Sequence, residues 1–250
     1  MVRRGLVESR AAAHRLIEGG LVRVAGHPAP KPATLVALGD DIRVESIDSG
    51  WASRAGDKLA AALDRFQVPV RGRRALDVGA STGGFTDVLL SLGAESVLAL
   101  DVGHGQLLWR LGTDPRVRVV DRTNFRTADP IALGAPFDVV TMDVSFISAA
   151  SLAGQLHAVG AEGTDYVVLV KPQFEVGRDR VGKGGIVRDH DAHRDAITRV
   201  GTALAGIGIA PRAAMPSPIL GTKGNREFLI HARIGPGGRD LARLVDEAFA

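Results

Sequence analysis

The stretch from Ala75 to Thr86, Ala-Leu-Asp-Val-Gly-Ala-Ser-Thr-Gly-Gly-Phe-Thr, leaves this chain the fewest options. A short apolar run ends in an acid, a glycine-rich turn follows, and Phe85, Val88, Leu89 and Leu92 then recur at helical spacing. The pattern predicts a buried strand, a tight loop and a helix N-terminus. Glycines at 79, 83 and 84 let backbone N–H groups approach a ligand, and the helix end adds partial positive charge. No Gly-Lys-Ser/Thr follows, so the loop is not a phosphate loop, and its glycine spacing is not G-x-G-x-x-G. A second apolar run, Ser96 to Leu100, ends at Asp101, an acid suited to a ribose hydroxyl pair. The pattern fits a nucleoside cofactor, and its departures favour S-adenosylmethionine over a dinucleotide. The expected contacts are Asp77, Gly79, Ala80, Ser81, Thr82, Gly83, Gly84, Phe85 and Asp101.

At 250 residues the chain can hold one large domain and a small one. No apolar run approaches a membrane span, and no leader is expected. There is no cysteine, which removes disulfides, thiolate metal sites and any cysteine nucleophile. The expected compartment is the cytoplasm. The net charge of +3 permits an anionic partner, and the distribution of that charge says more than its total.

Residues 1–48 read as a first α+β unit. Ser9 is a plausible N-cap, Ala12, Ala13, Leu16 and Ile17 follow at helical spacing, and Gly19-Gly20 stops the helix. Leu21, Val22 and Val24 suggest a short strand, and Asp41 to Val44 a closing one. Up to Lys31 there are six basic residues, Arg3, Arg4, Arg10, Arg15, Arg23 and Lys31, against Glu8 and Glu18. Such a patch suits a phosphate backbone, or else is a solvated helix face. The stretch resembles an S4 RNA-binding domain in Arg3-Arg4-Gly5-Leu6, Ser9-Arg10, His14-Arg15-Leu16-Ile17, Gly20-Leu21-Val22-Arg23-Val24 and Gly26. The Arg-Leu-Asp-type segment with which such domains usually begin is missing, so either the start codon is placed late or the domain is shortened.

Residues 49–53, around Trp51, read as a linker to a second domain, 54–250. Arg54 to Phe66 is amphipathic and predicts a helix. Strand candidates Ser96–Asp101, Val117–Val120, Phe137–Asp143 and Tyr166–Lys171 then alternate with helical stretches, which implies a parallel sheet flanked by helices. A helix from Ala192 to about Gly206 and strands near Arg212–Pro216 and Glu227–Ala232 complete the chain. Ligands in such sheets bind at the carboxyl ends of the strands. Asp77, Asp101, Asp143 and Lys171 all fall there, so they are expected to share one site.

The residues narrow the chemistry. Asp143-Val144-Ser145-Phe146 lacks the prolines common in amino-group methyltransferases of bases, and carbon-5 methylation of a pyrimidine needs a cysteine. Oxygen methylation remains. A ribose 2′-hydroxyl is a weak acid and needs a proton acceptor or nearby cations, which lysines and carboxylates together can provide. Phe125, Phe146 and Phe174 read first as core residues, with stacking on a flipped nucleotide as the alternative. Trp109 is expected to pack beneath the cofactor, and His104 to contact it. Val176 to Asp189 and Pro218 to Arg226 are expected to be flexible loops bordering RNA, with Arg178 and Lys183 on phosphates.

Taken over residues 1 to about 234, the chain resembles the TlyA (hemolysin A) family, S4-containing relatives of FtsJ-type ribose 2′-O-methyltransferases. The resemblance is carried by Ser53-Arg54-Ala55-Gly56-Asp57-Lys58-Leu59, the glycine loop, Asp101-Val102-Gly103-His104-Gly105-Gln106-Leu107, Arg122-Thr123-Asn124, Asp143-Val144-Ser145-Phe146-Ile147-Ser148, Val170-Lys171-Pro172-Gln173-Phe174-Glu175 and Gly224-Asn225-Arg226-Glu227. It implies a Rossmann-like class I methyltransferase with a mostly parallel seven-stranded sheet. It implies a tetrad of Lys58, Asp143, Lys171 and Glu227, with Lys171 closest to the 2′-hydroxyl. It also puts the cofactor methionine near Gly79 to Phe85, its ribose near Asp101 and its adenine near Asp121, with Asp143 also beside it. The implied substrate is a cytidine ribose of ribosomal RNA within ribosomal subunits, 16S, 23S or both, and the expected state is a monomer without metal or membrane. Three other functions stay open: a membrane-active haemolysin, suggested by the family's older name, a non-catalytic ribosome assembly factor, and an N-methyltransferase acting on a base.

Overall fold

A computed structural model of the chain describes residues 1–4, 6–7, 10–18, 22–29, 31–37, 39–44, 50–221 and 223–249, with the side chains of residues 3, 11, 12, 15, 18, 43 and 44 outside the description. It divides into two compact units, Met1–Gly50 and Trp51–Ala250. The expected helix cap Ser9, the stop Gly19-Gly20, the strand start Leu21 and the linker residue Ser49 lie outside the described residues, as do the side chains of Arg3 and Arg15.

In the first unit, helix α1 (Arg10–Glu18) accompanies three short antiparallel strands, β1 (Val22–Val24), β2 (His27–Pro28) and β3 (Ile42–Val44), in the order β2-β1-β3. Ala25 and Gly26 both take positive φ, so the two-residue β1–β2 turn is of the type that matches strand twist. The apolar centre is small: Val22, Ala29 and Ile42 are buried, with Leu16, Ile17 and Val24 against them.

The second unit opens with α2 (Ala55–Phe66). Strands β4 (Arg74–Val78), β5 (Ser96–Leu100), β6 (Val117–Val120), β7 (Val139–Met142) and β8 (Asp165–Val170) follow, then β9 (Ile209–Pro216) and β10 (Phe228–Ile234). Between them lie α3 (Gly84–Ser91), α4 (Trp109–Gly112), α5 (Pro130–Leu133), α6 (Ala153–Ala158), α7 (Pro172–Glu175) and α8 (His190–Ala205), and α9 (Leu241–Glu247) comes last. The seven strands form one sheet in the order β6-β5-β4-β7-β8-β10-β9, parallel except that β10 runs against both β8 and β9. The seven-stranded, mostly parallel sheet is thus the one expected. Trp51 and Ala52, expected in the linker, pack in the second unit: Trp51 lies under Gly56, and the Ala52 N–H donates to Asp87.

Alternation along each strand feeds two cores. Leu76 and Val78 face the side covered by α8 and α9, with Leu98, Val140 and Val168. Ala75, Val97, Val139 and Leu169 face α2 and α3, where Leu59, Leu63, Val88 and Leu89 are buried. Asp77 alternates onto that second face, beneath α3. Helix α9 was not expected, because glycines at 235, 237 and 238 mask a short helix that Asp240 caps by accepting from Arg243 N–H.

Candidate active site

Register brings the predicted residues to one sheet end. Val78 pairs with Met142, so Gly79 and Asp143 leave the sheet side by side. Phe228 pairs with Val170 antiparallel, so Glu227 arrives beside Lys171. The strand order reverses between β5 and β7 about β4, the crevice where such sheets take ligands.

Four charged side chains form two ion pairs there. Lys58, on the buried face of α2, lies 2.5 Å from Glu227 Oε2, and both are almost fully buried. Lys171, at the end of β8, lies 2.5 Å from Asp143 Oδ1 and donates a hydrogen bond of 2.9 Å to Ser145 Oγ. Pro172 at the first turn of α7 ends the strand and fixes the exit angle at Lys171. Glu175, buried at the end of the same helix, accepts from Ser148 Oγ at 2.6 Å and from Ala149 N–H at 2.5 Å, which fastens the loop after Asp143. Burial pushes the Glu175 carboxyl above its ordinary range. Sequence reasoning noticed Glu175 only as an acid near Lys171 and did not assign it this clasp.

The glycine loop departs from expectation in how its glycines act. A Cβ at Gly79 would meet the Asp143 carbonyl oxygen at 2.3 Å, and φ there is +86°, so this glycine lets two strand ends abut. A Cβ at Gly84 would sit 2.3 Å from Ser53 Oγ, so Gly84 also serves close packing of α3 on the start of α2. The Phe85 side chain packs in the core, and its backbone stands at the helix N-terminus. Asp77 is wholly buried; Thr86 Oγ1 donates to it at 2.7 Å and Thr141 Oγ1 at 3.3 Å, so its carboxyl braces the loop from below. Burial, with the Asp143 charge adding to it, raises the Asp77 pKa to about 7.

Asp101 and Asp121 stand at the next two strand ends. Asp101 accepts from Ser81 N–H at 2.9 Å and Gly103 N–H at 2.6 Å, and Asp121 accepts from Gly105 N–H at 2.8 Å with His104 Nδ1 at 3.0 Å. A carboxylate has about four acceptor positions. Each therefore keeps capacity for hydroxyl or amino donors of a nucleoside, beside the uncapped N-terminus of α3 at Gly83. That donor set fits S-adenosylmethionine. Among the described residues no cluster of three His, Asp or Glu could hold a metal.

Aromatic expectations divide. Phe125 is core. Phe146 is 91% exposed at φ +66°, its ring centroid 5.4 Å from that of Phe174, so the core expectation fails for it. The clasp at Ser148 and Ala149 holds the turn that faces it outward. Trp109 is 81% exposed, and one-turn α4 buries Leu111.

Basic residues also divide. In the first unit the Arg4 guanidinium donates to the carbonyls of Asp40 and Ala37, and Arg23 donates to the Gly26 carbonyl. Arg10, His14 and Lys31 line an open apolar groove of about 380 Å³. In the second unit Arg178 and Lys183 are exposed. Arg180 is paired with Asp189 and Asp195. The two expected flexible loops are stitched together: buried Asn225 accepts from Val187 N–H at 2.9 Å and donates to the Gly185 carbonyl at 2.8 Å.

Comparison with known proteins agrees with this geometry. Residues 51–234 match the model for FtsJ-like methyltransferases, and residues 1–42 match that for the S4 domain. The chain is 45% identical over 234 residues to the 16S/23S rRNA (cytidine-2′-O)-methyltransferase TlyA of Mycobacterium tuberculosis, covering 93% of this chain and 87% of that one. It is 38% identical to Hemolysin A of Brachyspira hyodysenteriae, over 91% of this chain and 95% of that one. A solved structure from Streptococcus thermophilus whose name carries the word hemolysin superposes with a TM-score of 0.78 at 36% identity, over 99% of this chain and 92% of that one.

Proposed function

The chain belongs to the FtsJ-like methyltransferase family, as a member with an S4 domain, and from that premise we propose that it methylates the 2′-oxygen of a cytidine ribose in ribosomal RNA. The observation that carries the reading is the gathering of Lys58, Asp143, Lys171 and Glu227 as two ion pairs at one sheet end. When bound, S-adenosylmethionine supplies a methyl group made electrophilic by its sulfonium. Gly79 to Gly84, Asp101 and Asp121 would hold it.

In this reading Lys171 meets the 2′-hydroxyl and takes or steadies its proton, because its side chain stands 11% exposed at the mouth of the site. Asp143 fixes Lys171 by charge. The Lys58–Glu227 pair lies deeper and sets the field around the reacting oxygen. Phe146, an outward-facing ring in the loop that follows Asp143, stacks on the target base. Arg3, Arg10, Arg15, Arg23, Arg178 and Lys183 contribute phosphate contacts, and Arg4 braces its own loop.

Transfer of a tritiated methyl group to isolated 30S and 50S subunits tests the proposal. Wild type is expected to label a cytidine ribose in one subunit or both. Lys171→Ala is expected to abolish labelling while leaving cofactor affinity nearly intact. Normal labelling by Lys171→Ala would refute the role of that lysine, and a methyl group found on a base would refute the chemistry. The hemolysin-named relatives motivate one further arm: erythrocyte leakage without any methyl transfer would favour membrane activity. No helix among the described residues is long and apolar enough to cross a membrane.

A further inference from the structure

We propose that Ser145 is a positioning residue that sets the direction of the Lys171 ammonium; the inference rests on the role proposed above for Lys171. An ammonium carries three N–H groups and a neutral amine two N–H groups and a lone pair. Asp143 attracts Lys171 from 2.5 Å, yet its buried Oδ1 makes no aligned hydrogen bond. Charge attraction of that kind holds a distance without choosing a rotation. The directional bond of Lys171 among the described residues goes to Ser145 Oγ, at 2.9 Å. With one vertex of Nζ turned to Ser145, the rotation of the group is set and a remaining vertex is left for an incoming hydroxyl. It then offers a lone pair to the hydroxyl proton or an N–H to the oxyanion, according to protonation.

Ser145 can do this because its own position is fixed from the same short helix. Lys171 caps the start of α7 and Glu175 ends it. Lys171 grips the loop at Ser145, and Glu175 grips it at Ser148 and Ala149. Between the two grips Phe146 holds a left-handed φ of +66°, a conformation a bulky residue keeps only when its flanks are tied. The loop is thus clasped at both ends by the segment it serves, and the serine hydroxyl inherits that rigidity.

The test runs Ser145→Ala and Ser145→Thr beside wild type and Lys171→Ala in the subunit methyl-transfer assay. Losing one hydrogen bond to a charged group that aims the reactive amine should lower kcat about tenfold or more in Ser145→Ala. The KM for subunits and the affinity for S-adenosylmethionine should stay within about twofold, as expected for an interaction that matters at the reacting atoms. Ser145→Thr keeps the hydroxyl and should recover most of kcat. Wild-type kcat in Ser145→Ala, a loss confined to KM, or a threonine variant as impaired as the alanine one would each overturn the inference. The Lys171→Ala arm separates the two readings: if it still transfers methyl, the role of Lys171 fails; if it is inactive while Ser145→Ala is normal, only Ser145 fails.

Discussion

Replacing Lys58 by Met strands the Glu227 carboxylate. Oε2 loses its partner at 2.5 Å, and Oε1 packs so tightly on Gly221 that a Cβ there would stand only 2.3 Å away. Glu227 is 4% exposed. Removing one partner of such a buried pair costs about 3 to 5 kcal/mol. For a unit of this size that corresponds to roughly 10 °C in the thermal midpoint. Glu227→Leu alone strands the ammonium and should cost a similar amount. The double variant Lys58→Met/Glu227→Leu replaces both charges by apolar groups of similar volume and should fall within about 1 kcal/mol of wild type. Urea and thermal unfolding followed by circular dichroism measure all four corners of the cycle, and subunit methyl transfer measures activity on the same samples. The double variant is expected to fold well and transfer no methyl group. A Lys58→Met protein as stable as wild type, or a double variant as unstable as the two singles summed, would refute the burial argument. A double variant that still transfers methyl would reduce the pair to a structural device.

Two further outcomes follow from single side chains. Asp77 has its carboxyl raised from 3.8 to about 7, chiefly by burial, so the stability tied to its neutral form is full below the unfolded value and is lost as pH climbs from there through about 7. Asp77→Asn removes that loss, and chemical denaturation at pH 5 and pH 8 should show wild type weakening relative to the variant by about 3 kcal/mol; parallel pH dependences would contradict this. Phe146→Gly relieves a left-handed φ at an exposed position and should raise stability by about 1 kcal/mol. The same change should lower kcat/KM for subunits about tenfold or more through lost base stacking, and unchanged kinetics would remove Phe146 from the substrate site.

Much of the site was legible because strands announce their ends. Asp77, Asp101, Asp143 and Lys171 each close an apolar run, and parallel topology carries such ends to one edge. Lys58 and Glu227 were a different matter. Nothing periodic links residues 169 apart, and only resemblance joined them before register set Glu227 beside Lys171. The glycines were read as close-approach positions, and the protein neighbours that Gly79 and Gly84 admit, a strand end and a helix start, leave no signal in sequence. Phe146 misled because an apolar residue beside a buried strand is ordinarily core. Its outward turn depends on the Glu175 clasp and a strained φ, neither of which leaves a trace in hydropathy. Ser145 was quoted within a motif but given no role, because its bond to Lys171 spans two loops.

The place of β10 between β8 and β9 has a consequence for how the protein is made. During vectorial synthesis β9 emerges before β10, the strand that separates it from β8 in the finished sheet. Lys58, Asp143 and Lys171 therefore leave the exit tunnel long before the carboxylate that neutralises Lys58. A nascent or prematurely terminated chain carries an uncompensated ammonium at a position built for burial and an unfilled gap beside β8. Products that stop short of Glu227 and β10 lack that carboxylate and are expected to transfer no methyl group.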